Sequence, residues 1–199
     1  DFCLSRGLGD VYKRQEWIVA IAVGLLLVWV MVNFVAKSYT IKGDSMDPTL
    51  KDGEHVMVNI LGYKVGDIKK GNVIVFHANQ QDDYVKRVIG VPGDNVIYKN
   101  DKLYVNGKKI NEPYLDYNEK RKQGEYITGS FETKDLLNAN PKSNIIPKGK
   151  YLVLGDNREV SKDSRAFGLI DRDQIVGKVS FRFWPFSEFK FNFNPDNEK

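Results

Sequence analysis

The sequence predicts a mainly β protein, a mostly antiparallel β-sheet domain carried on one N-terminal transmembrane helix. Three observations lead there. Residues 17–36 form a 20-residue run with no charged residue and a single polar one, Asn33. Beyond it, short stretches rich in β-branched and aromatic residues recur, several alternating with a period of two. Outside the apolar run, strong helical periodicity is absent.

Composition narrows the class. The 199 residues carry 30 Lys or Arg against 26 Asp or Glu, a net charge of +4, and 42% are hydrophobic. Such a balance excludes a wholly disordered chain. Charges of both signs interleave with no run of five basic residues, which argues against a nucleic-acid partner. The one cysteine, Cys3, excludes an intramolecular disulfide framework and a Cys-rich zinc site.

Residues 1–15 open without Met and lack apolar periodicity. They read as a leader of doubtful origin, a cloning or sequencing scar, and are set aside from the fold. A helix over 17–36 would span roughly 30 Å at ~1.5 Å per residue, matching a bilayer's hydrocarbon core. A cleaved signal peptide would have a shorter apolar region and a small-x-small site, for which Asn33-Phe34-Val35-Ala36-Lys37 is a poor match. Lys13 and Arg14 precede the run and place the N-terminus in the cytoplasm, with Lys37 a weak counter-signal. The expected localisation is the plasma membrane, crossed once, with residues 37–199 outside.

The strands follow in order. His55-Val56-Met57-Val58-Asn59-Ile60 alternates polar with apolar. Val73-Ile74-Val75-Phe76 is a continuous apolar run, as a strand buried on both faces requires. Residues 84–91 are rich in β-branched residues. Stretches 96–98, 103–105 and 109–110 are separated by Asn100-Asp101 and Asn106-Gly107, and Asn-Gly is the strongest short hairpin signal. Residues 151–154 and 175–179 add two strands. Between Pro113 and Pro147 the polar segment 112–146 reads as an insertion or small subdomain, mobile at its tip. Phe181, Phe183, Trp184, Phe186 and Phe189 read either as a core strand pair or as a surface dipping into the lipid interface.

Chemistry is next. His55 and His77 form no metal-ligand spacing, and a Ser-His-Asp triad would have to use one of them. No phosphate-cradling Gly-rich loop occurs. A serine and a lysine remain. In Gly43-Asp44-Ser45-Met46-Asp47-Pro48-Thr49-Leu50 a glycine permits an unusual backbone angle and a proline stiffens the exit. The segment is either a plain polar turn or a mount for a hydroxyl. Lys86 lies inside an apolar strand pattern, sharing a face with Tyr84 and Val88 while Arg87 points the other way. It is either a solvated edge residue or a desolvated base. The third segment, residues 155–168, is a loop of short polar side chains.

Together these segments resemble the bacterial type I signal peptidases, membrane-bound Ser/Lys endopeptidases. The order matches as well: a span, then Gly-Asp-Ser-Met-x-Pro-Thr-Leu, Gly71-Asn72-Val73-Ile74-Val75-Phe76, Tyr-Val-Lys-Arg-Val-Ile-Gly-x-Pro-Gly-Asp and Gly-Asp-Asn-Arg-x-x-Ser-x-Asp-Ser-Arg-x-x-Gly. The resemblance covers residues 17–186. It implies Ser45 as nucleophile, Lys86 as general base and Ser161 as the hydroxyl orienting the lysine amine. It implies a structural pair Asp163–Arg165, a further pair Asp156–Arg87, and Ile41, Met46, Tyr84 and Val85 near a pocket for small substrate side chains. Where some relatives carry an oxyanion-holding hydroxyl, this chain has Gly43, so the donor is expected to be a backbone N–H, that of Ser45 with Gly43 or water assisting. Asn72 stands where Asp is common, and the usual proline near Ala78-Asn79 is missing; both changes are expected to affect a turn. The implied substrates are secretory pre-proteins whose signal peptides end in small-x-small residues, at a site close to membrane lipid. No metal or cofactor is required. The readings weighed against this are a membrane-anchored β module that binds without catalysis, a soluble Ser/Lys self-cleaving repressor and a sortase. The last two are opposed by the span and by the lack of a cysteine in the domain.

Overall fold

The structure, a computed structural model, describes residues 5–30, 36–61, 67–191 and 193. Among them twelve strands follow one helix, α1 (Ser5–Val30). They are β1 (Ala36–Thr40), β2 (His55–Asn59), β3 (Val73–His77), β4 (Asp83–Gly90), β5 (Val96–Lys99), β6 (Lys102–Val105), β7 (Lys108–Ile110), β8 (Phe131–Glu132), β9 (Lys150–Leu154), β10 (Ile170–Asp171), β11 (Ile175–Trp184) and β12 (Lys190–Phe191). The larger sheet runs β1-β2-β11-β3-β4-β9-β10, with β12 beside β11; the smaller runs β7-β6-β5-β8. Every pairing is antiparallel, so the mainly β expectation stands.

The apolar run in β3 has a direct cause. β3 lies between β11 and β4, and its two faces feed different cores. Val73 and Val75 pack with Ile41, Met46, Leu50, Val56 and Val58. Ile74 and Phe76 pack with Val88, Val153, Ile170 and Ile175. Both faces being covered, no polar alternation is possible. A third cluster, from Ile89, Leu152 and Leu154 to Val96, Tyr98 and Leu103, joins the two sheets. The two hairpin signals of the small sheet form as the sequence predicts. Asn100 and Asp101, then Asn106 and Gly107, all have positive φ, the condition of a type I′ turn.

α1 already covers residues 5–15, which the sequence reading had set aside, and Ala36 opens β1 instead of closing a helix. Among the described residues no helix is long and apolar enough to cross a membrane; the expected span runs over residues 31–35, which lie outside the described residues. The 112–146 segment is bound to the domain. β8 pairs with β5, Leu115, Ile127 and Thr133 are buried, and Asp101 accepts the N–H groups of Ile127, Thr128 and Gly129. The late aromatics are no core strand pair. Trp184, Phe186, Phe189 and Phe191 are 48%, 72%, 46% and 66% exposed although their rings touch one another, while Phe181 and Phe183 are half-buried, so the surface alternative is the one that holds.

Candidate active site

Ser45 sits on the turn that leaves β1. Ile41 is buried, and its N–H and C=O bond Glu54 O and the Gly53 N–H. Gly43 then takes φ +78°, a left-handed conformation that glycine adopts without strain. Its N–H is already committed to Asp52 Oδ1 at 2.7 Å, so it is not a spare oxyanion donor. Met46 and Leu50, both buried, anchor the far side of the turn.

Lys86 comes from β4. β3 covers one edge of that strand from Asp83 to Arg87, whereas β9 pairs with the other edge only from Arg87 onward. The stretch Asp83 to Lys86 therefore keeps one open edge. Lys86 is 3% exposed, with Nζ 5.4 Å from the centre of the Tyr84 ring. Its Nζ donates to Ser45 Oγ at 2.6 Å. Burial lowers its pKa from 10.5 to about 8, against the pull of the Asp163 and Asp156 carboxylates.

The loop after β9 closes over the pair. Asn157 N–H donates to Ser45 O at 3.1 Å. A Cβ at Gly155 would collide with Ser161 Oγ and with Ser45 O, so only glycine permits this approach. Gly155 N–H donates to Asp163 Oδ2, and Arg165 grips Asp163 through Nε and a terminal nitrogen, each at 2.9 Å. The Ser161 hydroxyl is buried with no hydrogen-bond partner among the described residues. The structure thus packs Ser161 against Gly155 and gives the lysine amine to Ser45. Arg87 and Asp156 form the second expected pair, with contacts of 2.8 and 2.6 Å. Thr49 Oγ1 donates to Asp156 Oδ2 at 2.5 Å, tying the Ser45 turn to the same carboxylate. Asn72 is buried in a turn, where its Oδ1 accepts the Lys69 N–H.

A cleft of about 870 Å³ opens over these residues, and Ile41, Gly43, Ser45, Met46, Tyr84, Val85 and Lys86 all line it. His77 is on its rim, paired with Asp83; His55 bonds Thr40. Neither histidine hydrogen-bonds Ser45. The family model for signal peptidases, peptidase S26, matches residues 14–184.

The chain belongs to that family.

Membership makes it a serine endopeptidase of the signal peptidase I type. It is 76% identical over 184 residues to signal peptidase IB of Staphylococcus aureus strain MRSA252, covering 92% of this chain and 96% of the relative. It is 48% identical over 182 residues to signal peptidase I of Bacillus caldolyticus, covering 91% and 95%. Among solved structures it resembles a signal peptidase I from Enterococcus faecalis V583, with a TM-score of 0.53 at 33% identity. That match covers 58% of this chain and 98% of the other.

Several residues around the site of this signal peptidase escape a linear reading. Gly155 and Thr49 were visible only as motif letters; their contacts depend on distant segments. Glu112, Tyr114 and Asn118 carried no signal at all, since their partners are Arg158, Arg87, Asp47 and Asp156.

Proposed function

We propose that Ser45 and Lys86 are the catalytic pair with which this signal peptidase removes signal peptides from secreted pre-proteins after small-x-small motifs. One observation carries the reading: a desolvated lysine amine 2.6 Å from a serine hydroxyl at the floor of a cleft. A serine hydroxyl attacks only when a base takes its proton, and a lysine is a base only when neutral. At an ordinary pKa near 10.4 about 0.04% of lysine is neutral at pH 7. At about 8, roughly a tenth is neutral at the same pH. Neutral Lys86 accepts the Ser45 proton as Oγ attacks the scissile carbonyl. It returns that proton to the leaving amine, then deprotonates the water that hydrolyses the acyl-enzyme. Once Ser45 is acylated, the unpartnered Ser161 hydroxyl becomes available to hold the amine. The oxyanion donor is the Ser45 N–H. Asp163 with Arg165 keeps Gly155, and hence Ser161, in place.

Substrate recognition follows from the open edge of β4. An extended peptide can add there as a strand, its main chain on residues 83–86. Ile41, Met46, Tyr84 and Val85 line the cleft beside that edge, and we assign them to the subsites for the small side chains. Membrane attachment is supported by α1, whose Trp17, Ile18, Leu25, Leu26 and Leu27 are all more than half exposed. We read the apolar run that ends before β1, residues 17–35, as one plasma-membrane pass with the N-terminus cytoplasmic, and the residues from β1 onward as the extracytoplasmic peptidase domain. The test is cleavage of a pre-protein by the detergent-solubilised chain, with the new N-terminus sequenced. Ser45→Ala and Lys86→Arg should each abolish cleavage with the fold intact, because arginine keeps the charge but cannot act as a base. Parental turnover by either variant would overturn the assignment.

A further inference from the structure

Ser45, Lys86 and Ser161 all lie outside the 112–146 segment, yet that segment reaches their supports. Asn118 belongs to the one-turn helix Asp116–Glu119. Its side-chain amide donates to Asp47 O at 2.9 Å and to Asp156 O at 3.0 Å. Asp47 is on the Ser45 turn. Asp156 follows Gly155 and opens the loop that leads to Ser161. Both acceptors are main-chain carbonyls, so each bond fixes backbone and not a movable side chain. A primary amide has two N–H donors on one nitrogen, which a hydroxyl or a carboxylate cannot supply.

The base of this clip is itself held. Leu115, immediately before the helix, is 1% exposed, and the Tyr114 ring stacks 4.0 Å from the Arg87 guanidinium that grips Asp156. Thr49 to the Asp156 carboxylate and Asn157 N–H to Ser45 O also tie the two loops. Among the described residues, Asn118 alone is seen to bond a carbonyl of each.

We propose that Asn118 is a positioning residue for the Ser45 reaction: its amide sets the spacing between the Ser45 turn and Asp156, which Arg87 ties to β4 beside Lys86, and so the reach from Ser45 to Lys86. The proposal rests on the Ser45/Lys86 reading.

The experiment is steady-state cleavage of a pre-protein by the full chain in detergent, comparing Asn118→Ala, the isostere Asn118→Asp and Tyr117→Ala. Tyr117 is an exposed neighbour on the same helix and outside the site, so its variant keeps parental kinetics. Both Asn118 variants should lose about tenfold or more in kcat, as a small misplacement of reacting groups does, with KM within about twofold and the melting temperature near the parent's. Parental kcat in Asn118→Asp would reduce the residue to a packing role and overturn the proposal. A rise in KM at unchanged kcat would overturn it too, by making Asn118 a substrate contact. Ser45→Ala in the same assay separates the two readings. If it still cleaves, the Ser45/Lys86 reading has failed. If it is dead while Asn118→Asp is parental, the clip alone has failed.

Discussion

At the scale of single residues the proposed chemistry turns on Lys86. Its ammonium is disfavoured by burial, so the folded pKa is about 8 where the ordinary value is 10.5. The base form appears as pH rises through the folded value, so kcat/KM should rise with a midpoint near pH 8. A histidine base would put that midpoint near 6.5. The pH profile of the double variant His55→Gln/His77→Gln decides between them: it should match the parent, and a folded but inactive variant would return the search to a histidine. The same shift has a stability consequence. Between pH 8 and 10.5 the unfolded chain binds more protons at this site than the folded one, so stability rises with pH across that window. Gly155 is the second decisive residue. Gly155→Ala drives a methyl into Ser161 Oγ and the Ser45 carbonyl. Overpacking of this kind costs about 1–3 kcal/mol, and here it also displaces Ser45, the proposed nucleophile, so pre-protein cleavage should fall far more than the urea midpoint does. Local pattern left Ser45 and Lys86 open, as a plain polar turn or a mounted hydroxyl and as an edge lysine or a desolvated base; the order of the motifs, matched to the signal peptidases, singled them out. Gly155 was not, because its need for a bare Cα arises only when two distant segments meet.

The elements that the sequence foretold are those with local causes. β2 alternates because one face is buried, β3 does not because both are, and the Asn-Gly turn closes β6 onto β7. The ties that hold the 112–146 insertion to the domain were not legible, because its bonds are long-range. Glu112 is the centre of that anchorage. Its Oε1 accepts from Arg158 at 2.6 Å, Tyr98 at 2.8 Å and Tyr114 at 2.6 Å. Burial pushes both phenols well above their ordinary pKa, so both stay neutral donors. Arg158 in turn donates to Gly155 O at 2.9 Å, carrying the anchorage into the active-site loop. The side chains of Arg158 and Glu112 are 0% and 5% exposed. Removing one partner of such a pair leaves a buried charge and costs about 3–5 kcal/mol. Glu112→Ala should therefore lower unfolding free energy by that amount in urea titrations. A loss under about 1 kcal/mol would mean that water replaces the carboxylate and that the segment is not anchored there.

Across the whole molecule, the sheet class and the order of the site segments were legible, whereas the sequence left the late aromatics open between a core pair and a surface. Period-two spacing of phenylalanines is the same for a core strand and for a strand whose ring face is uncovered. At the end of β11 the chain turns back through β12, and Phe181 meets Phe189 and Phe191 with ring centres 5.8 and 5.5 Å apart. No described element covers the outer side of this cluster, so Trp184, Phe186 and Phe191 stay exposed. Aromatic rings of this kind are favoured at the boundary between headgroups and acyl chains. If the cluster rests there, it holds the peptidase domain at the bilayer from which a signal peptide emerges. Trp184 is the natural reporter, because only three tryptophans occur in the chain. With Trp17 and Trp29 replaced by Phe, the fluorescence of Trp184 in vesicle-reconstituted protein should be quenched by lipids brominated near the headgroup. Phe186→Asp with Phe191→Asp should abolish that quenching and slow cleavage of a membrane-inserted pre-protein. The same pair should leave cleavage of a short soluble peptide unchanged, since neither residue lines the cleft. Unquenched Trp184 in the parent would remove the lipid contact, and an equal loss on both substrates would show that the aromatics support the fold and not the membrane approach.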